Sequence, residues 1–233
     1  MAAHPIYQFR TELKDHRPKI WRRFQVMSNI TMEKLARVIM TLYEMKGHHL
    51  FSFDMKRNKS MSGRKMPAGL VLAPEFPYEP AFPQKWRFEM MYEEGDIFVV
   101  HNEYLFDMTL SKVKDVVSVP GENMLFTYDF GDDWEIDVKL EKIIDDKETH
   151  GREFPRVLAG EGSGIIEDCG GVFGLYDIAE AFREKSGEKY EMYREWLGKD
   201  DIDMRTFDMD RMNEKIRRRA GIRVWLREDA SYY

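Results

Sequence analysis

Carboxylate side chains concentrate in two short stretches of the sequence, YDFGDDWE and EDCGG. Together with one arginine, these stretches supply the candidate residues of a ligand-binding cleft: Arg22, Asp129, Asp132, Asp133, Trp134, Glu167, Asp168 and Cys169. Several carboxylate oxygens at one point can bind hard cations such as Mg²⁺ or Ca²⁺, and two-metal phosphoryl-transfer sites use such groups. This chemistry requires the two stretches to meet in the fold.

A simpler interpretation assigns the same carboxylates to local structure. Aspartates favour turns, so Asp129, Asp132 and Asp133 would shape the turn after Tyr128. In the second stretch, Glu167 or its neighbour would cap loop amides or pair with an arginine. We prefer this interpretation, and the sequence assigns no catalytic residue, no metal ligand and no cofactor.

Arg22 lies between Trp21 and Arg23 on a predicted strand. Neighbours on a strand point to opposite faces, so one arginine faces inward. A buried arginine requires a partner, and Asp129 is the first candidate for an ion pair.

The sequence gives less support to the remaining candidates for a nucleophile, a metal ligand or a phosphate-binding loop. Cys169 is the only cysteine, and acidic neighbours raise the pKa of a thiol, which favours a packing role over catalysis. His48 and His49 are adjacent and diverge, so the pair alone does not form a bidentate metal site. The GEGSG run lacks the Gly-Lys-Ser/Thr ending of a phosphate-binding loop.

Two segments are rich in basic residues, KRNKSMSGRK and the C-terminal RRRAGIRVWLR. Their candidate nucleic-acid contacts are Lys56, Arg57, Arg217, Arg218, Arg219 and Arg223. Such residues can contact phosphates even on an acidic protein. Alternatively, the basic residues form a solvated helix face and an exposed loop tip without a ligand. The segments could also contact a protein partner.

The totals limit the class of protein. The 233 residues carry a formal net charge of −6 and are 43% hydrophobic, which is enough for a folded core and argues against a globally basic nucleic-acid binder. One cysteine allows no intrachain disulfide. No stretch approaches the length of a membrane span, so we expect a soluble, cytoplasmic protein without membrane contact. The oligomeric state is not determined.

Alternating and helical periodicities predict the elements that position these residues. Strands are predicted at 6–13, 20–26, 49–55, 86–92 and 97–101, with a hairpin at 126–143. Helices are predicted to begin at Thr31, Thr109 and Asp208 and to cover 175–182 and 190–197. Six glycines between Gly160 and Gly174 predict a loop with sharp turns or close approaches.

These elements predict an α+β protein, with a roll or β-grasp-like mixed sheet packed by amphipathic helices. Residues 1–174 form the predicted main domain, with 56–83 as a basic, proline-rich loop or insertion. Residues 175–233 form helices that pack on this domain rather than a second independent one.

Several short motifs, in order, resemble the plasmid pRiA open-reading-frame-three-like family: PKIWRRFQV, TMEKLARVI, HHLFSF, YDFGDDWE, EDCGG with FGLYDI, and RTFDMDRMNEKI. The resemblance implies an α+β roll and an uncharacterised function, with a mobile-element setting and a resolvase label in some members. Ile136 stands where members often carry a histidine, which weakens any metal role based on that position.

The sequence therefore predicts a binding or adaptor module with a cleft between the acidic hairpin turn and the glycine-rich loop. The alternative is a metal-dependent phosphoryl-transfer or DNA-processing enzyme that uses the carboxylates. We favour a non-enzymatic protein because no complete catalytic constellation is visible.

Overall fold

The computed structural model describes residues 4–56, 64–72, 85–91, 103–146 and 148–220. These residues form a mixed sheet in the order β4-β6-β5-β3-β7-β8-β1-β2-β9, packed by helices, which confirms the predicted α+β class. The strands are β1 Ile6–Leu13, β2 Trp21–Met27, β3 Phe51–Lys56, β4 Leu70–Leu72, β5 Lys85–Glu89, β6 Glu103–Asp107, β7 Asn123–Tyr128, β8 Trp134–Ile144 and β9 Arg156–Glu161. The helices are α1 Met32–Leu42, α2 Val113–Val116, α3 Gly171–Glu184, α4 Glu188–Leu197 and α5 Met209–Ala220.

The predicted hairpin lies in the middle of this sheet. β7 and β8 pair antiparallel, with Tyr128 opposite Trp134 and Phe126 opposite Ile136, and all four side chains are buried. Alternate residues of a strand share one face, so these apolar side chains line one side of the sheet. The chain reverses at 129–133, and the turn therefore sits at the end of two central strands.

Helix α1 covers the buried face of the sheet. Thr31 caps it as predicted, because Thr31 Oγ1 accepts a 3.3 Å hydrogen bond from Lys34 N. Leu35, Ile39 and Leu42 are fully buried and form an apolar stripe, which agrees with the predicted amphipathic helix.

Several elements differ from the sequence prediction, and one of them is β4 Leu70–Leu72, which forms inside the segment 56–83 that was predicted to be a loop or insertion. β9 was not predicted, and its last two residues fall within the predicted loop of 160–174; the strand forms because its backbone pairs with the edge of β2. β6 was not predicted and pairs in parallel with β5, while the predicted strand 97–101 lies outside the described residues. The helix predicted to begin at Thr109 begins later, as α2 at Val113, since the N–H and hydroxyl of Thr109 both donate to Asp107 Oδ1 in a local turn.

The C-terminal helices follow their predicted signals. Gly198 ends α4 in the left-handed conformation, and Asp208 Oδ1 accepts a 2.9 Å hydrogen bond from Arg211 N at the start of α5. Met212 and Ile216 are buried, whereas Met209 is 39% exposed. The boundary between 1–174 and 175–233 stays a prediction. In the described part of the chain no helix is long and apolar enough to cross a membrane.

Candidate functional site

The acidic turn is shaped by one of its own aspartates. Asp129 Oδ1 accepts hydrogen bonds from Gly131 N at 3.0 Å and from Asp132 N at 3.4 Å. Asp129 and Asp133 have φ values of 58° and 54°, a left-handed conformation that aspartate tolerates better than most residues. The interpretation of these carboxylates as turn formers is therefore confirmed for Asp129.

The glycine-rich loop packs directly against this turn. Gly170 N donates a 3.3 Å hydrogen bond to Asp132 Oδ2. Gly171 has a φ of 69°, and a Cβ at this position would overlap the carbonyl oxygen of Asp132. The two carboxylate stretches therefore meet in the fold, and glycine is required where their backbones touch.

His49, which was not among the candidate residues of the cleft, lies between the two stretches. His49 Nδ1 is 3.4 Å from Asp129 Oδ2 in the turn, and His49 Nε2 is 3.4 Å from Asp168 Oδ1 in the loop. The His49 ring also stands edge-on to the Tyr128 ring, with centroids 5.6 Å apart. One imidazole thus joins three segments: the connection from α1 to β3, the acidic turn and the glycine-rich loop.

Strand pairing brings His49 to this position. Phe51 at the start of β3 pairs with Tyr128 at the end of β7, and Asp129 N donates a 2.9 Å hydrogen bond to Leu50 O. The residue before Leu50 must then lie beside the turn. No local signal in the sequence marks this contact, which becomes visible only once the strands that contain HHLFSF and YDFGDDWE are paired.

Glu167 is the buried member of the group. Its Oε1 accepts a 2.6 Å hydrogen bond from the Tyr128 hydroxyl and a 2.7 Å hydrogen bond from Lys46 N, while Lys46 Nζ lies 3.7 Å from Oε2. Burial and the carboxylate of Glu167 raise the pKa of Tyr128, so the phenol keeps its proton and donates. The expectation that Glu167 or Asp168 caps loop amides is confirmed for Glu167, which receives the Lys46 amide.

We call His49, Asp129, Asp132, Glu167 and Asp168 the junction site. Within it, His49, Glu167 and Asp168 each offer a ligand atom, and these atoms all lie within 4.8 Å of one another. The Glu167 side chain is 2% exposed and that of Asp168 is 59% exposed. The site is therefore buried at Glu167 and accessible to solvent at Asp168.

Cys169 lies beside the junction site as a thiol. Burial, followed by the charge of Asp132, raises the pKa of Cys169 to about 12. Its Sγ contacts Gly171 O at 3.5 Å. A thiol with this pKa is a poor nucleophile at neutral pH, in line with the packing role that we expected.

Arg22 does not pair with Asp129, so that prediction is wrong. Its side chain is fully buried, and the guanidinium donates to four backbone carbonyl oxygens, those of Trp21, Leu42, Glu161 and Ser163. The predicted inward-facing arginine is real, but β9 and the end of α1 satisfy it with peptide dipoles instead of a carboxylate.

Two other candidates occupy different environments. Trp134 is fully buried in the core beneath the turn, and Asp133 is exposed beside it. Of the candidate nucleic-acid contacts, Lys56, Arg217 and Arg218 are exposed. Arg57, Arg223 and the side chain of Arg219 lie outside the described residues, and nucleic-acid binding by these segments stays a prediction.

Comparisons with known proteins place the chain in one family. Residues 5–215 match the family model described as plasmid pRiA4b ORF-3-like protein. The uncharacterized protein y4hQ of Sinorhizobium fredii (strain NBRC 101917 / NGR234) is 30% identical over 107 residues, which is 46% of this chain and 52% of that relative. The chain therefore aligns with only about half the length of y4hQ.

A solved structure is similar over most of its length. The crystal structure of MM3350, a protein of unknown function from Methanosarcina mazei Go1, superposes with a TM-score of 0.67 and 30% sequence identity, covering 88% of this chain and 96% of that one. The family model spans most of the sequence and includes every residue of the junction site. The chain belongs to the plasmid pRiA4b ORF-3-like family.

Proposed function

We propose that the protein is a binding or adaptor module and that the junction site is its ligand-binding site. One observation carries the proposal: the His49 imidazole lies 3.4 Å from both Asp129 and Asp168, so polar side chains from three separate segments converge. Loops held by a rigid sheet commonly carry binding residues. Here the connection before β3 and the turn between β7 and β8 lie at the ends of strands in the middle of the sheet, and the glycine-rich loop packs on that turn.

The surroundings of the junction site support recognition of a partner that combines polar and apolar groups. Leu50 is 53% exposed, Phe130 is 45% exposed and Phe173 is 85% exposed. Leu50 follows His49, Phe130 follows Asp129, and Phe173 lies in the first turn of α3 after Gly171. Large apolar side chains next to convergent polar groups are typical of ligand sites.

The alternative function is metal-dependent phosphoryl transfer, and the convergence of carboxylates favours it as a second candidate. We rank it second because several carboxylate oxygens already accept hydrogen bonds from the protein, mostly from backbone amides. Asp129 Oδ1 accepts a hydrogen bond within the turn, and Asp132 Oδ2 accepts one from Gly170 N of the loop. Glu167 Oε1 accepts hydrogen bonds from the Tyr128 hydroxyl and from Lys46 N.

A fragment screen on uniformly ¹⁵N-labelled protein tests the binding proposal. We expect polar and aromatic fragments to shift the amide resonances of 46–50, 129–133 and 167–171 in chelator-treated protein. Asp132→Ala removes the acceptor for Gly170 N and should change the set of fragments that bind. The exposed control variant Asp133→Asn keeps a residue that tolerates the left-handed φ of this position and should not change it. Fragment shifts that avoid these three segments would overturn the proposal.

The same sample separates the two functions. Hydrolysis of bis(p-nitrophenyl) phosphate is measured with Mg²⁺ or Mn²⁺ present. We expect no turnover above that of the metal alone. Turnover that Asp168→Asn abolishes in a normally folded variant would favour the enzyme.

A further inference from the structure

We infer that the junction site binds one divalent transition-metal cation through His49 Nε2, Asp168 and Glu167, with Asp129 positioning His49. This inference rests on the proposed function, since it names the ligand of the same site. An imidazole combined with carboxylates suits Zn²⁺, Mn²⁺ and related cations, whereas Ca²⁺ and Mg²⁺ prefer all-oxygen sites. We choose Zn²⁺ and its spectroscopic substitute Co²⁺ as the probes.

The spacing of the donors fits a cation between them. Four ligands at about 2.1 Å from a tetrahedral Zn²⁺ lie about 3.4 Å from one another. His49 Nε2 and Asp168 Oδ1 are 3.4 Å apart, and a ligand atom of Glu167 lies within 4.8 Å of those of the other two residues. Small side-chain movements of Glu167 or Asp168 would complete a three-residue ligand set, and a water or partner group would take the fourth position.

The second nitrogen of His49 gives independent support. A metal-bound histidine usually donates its other N–H to a carboxylate or carbonyl, which fixes the tautomer and aims the ring. Asp129 Oδ2 lies 3.4 Å from His49 Nδ1, on the side away from Asp168. Asp129 is itself fixed, because its other oxygen accepts two amides of the turn.

Glu167 is held in a similar way. Tyr128 and Lys46 N both donate to Oε1, so the orientation of the carboxylate is set before any cation arrives. Oε2 faces Lys46 Nζ at 3.7 Å, and that lysine side chain is 63% exposed. Because it is exposed, Lys46 can move into solvent and leave Oε2 to a cation.

The charges at the junction site favour a cation as well. The carboxyl groups of Asp129 and Asp168 flank the His49 imidazole and that of Glu167 lies within 4.8 Å of it, while the Lys46 ammonium group lies 3.7 Å from Glu167 Oε2. Like charges at short distance repel, most strongly where a group such as Glu167 is buried. A divalent cation would relieve this repulsion.

Titration of Co²⁺ and Zn²⁺ into chelator-treated full-length protein tests the inference. We expect one Co²⁺ per chain, with visible absorption bands of a low-coordinate site, and displacement of Co²⁺ by Zn²⁺. His49→Ala and Asp168→Asn should each weaken Zn²⁺ binding by more than about tenfold, and Asp129→Asn by about 10–100-fold with a changed Co²⁺ spectrum. Asp168 is exposed, so its variant tests the site without threatening the fold.

Two neighbouring variants serve as matched controls. His48→Ala removes the adjacent, exposed histidine, and Asp133→Asn removes an exposed carboxylate of the same turn. Both should bind Zn²⁺ as the parent protein does. Absence of Co²⁺ binding, or equal losses for His48→Ala and His49→Ala, would overturn the cation site. Fragment binding at the junction site without Co²⁺ binding would overturn the cation inference alone. Co²⁺ binding with fragments bound elsewhere would overturn the proposed recognition of a polar and apolar partner and leave the cation inference standing.

Discussion

The hydroxyl of Tyr128 donates a 2.6 Å hydrogen bond to Glu167 Oε1 and thereby joins the last residue of β7 to the glycine-rich loop. The same hydroxyl accepts a 3.0 Å hydrogen bond from Gly47 N at the end of the α1 region. A single phenol therefore connects the three segments that build the junction site. Its raised pKa keeps the proton needed for the bond to Glu167.

Tyr128→Phe should destabilise the protein by about 1–3 kcal/mol, because the buried carboxylate of Glu167 loses a donor. Chemical denaturation measures the loss. Tyr43→Phe is a matched control, since it removes the hydrogen bond of another buried tyrosine hydroxyl, which donates to Thr11 Oγ1 in β1 and not to Glu167. Only Tyr128→Phe should also weaken Co²⁺ binding, and an equal effect of both variants on Co²⁺ would contradict the positioning of Glu167.

Gly171→Ala should destabilise the protein by more than about 1–3 kcal/mol, which is the cost of a positive φ alone. A Cβ at Gly171 would also overlap Asp132 O. Gly198→Ala separates the two costs, because Gly198 has a left-handed φ of 62° and no atom within 4 Å of the added Cβ. Thermal unfolding should show a clearly larger loss for Gly171→Ala, and similar losses would mean that the loop does not press on the turn.

Arg22→Met should cost at least about 3 kcal/mol of unfolding free energy, because several buried carbonyls lose their donor together. The adjacent variant Arg23→Met removes a partly exposed, bidentate ion pair with Glu141 and should cost about 0–1 kcal/mol. Urea titrations of both variants give the comparison. A small loss for Arg22→Met would show that those carbonyls find other donors.

The Cys169 thiol should react slowly with iodoacetamide at neutral pH, since burial and the charge of Asp132 raise its pKa to about 12. The urea-unfolded chain provides the reference rate. Asp132→Asn should accelerate the reaction of the folded protein modestly, because burial is the larger cause. Folded protein that reacts as fast as unfolded protein would place the thiol in solvent.

Acidification should weaken the fold through His16. Burial lowers the pKa of His16, with a smaller contribution from Arg17, while its ring stacks on Tyr176 at 4.7 Å. A base with a lowered folded pKa stabilises the fold fully above its unfolded pKa of about 6.5, and this contribution is lost as the pH falls through the folded pKa. His16→Asn should therefore flatten the fall in unfolding free energy between about pH 7 and 5. A pH profile identical to that of the parent would contradict this assignment.

Local signals in the sequence determined the elements near the site. Thr31 and Asp208 mark two helix starts, Gly198 marks a helix end, and the alternation on either side of Gly131 marks the β7–β8 hairpin. These features depend on residues close in sequence, so their side-chain chemistry is visible without the fold. The turn-forming role of Asp129 was predictable for the same reason.

Tertiary structure decided which distant residues meet. β9 forms because its backbone pairs with the edge of β2. This pairing brings the carbonyl oxygens of Glu161 and Ser163 to the Arg22 guanidinium, which therefore donates to carbonyls instead of a carboxylate. His49 joins Asp129 and Asp168 only through the register between β3 and β7 and the packing of Gly171 on the turn. Neither register nor loop packing has a local sequence signal. The sequence by itself therefore identified the carboxylates as site candidates, and only the tertiary structure placed the histidine between them.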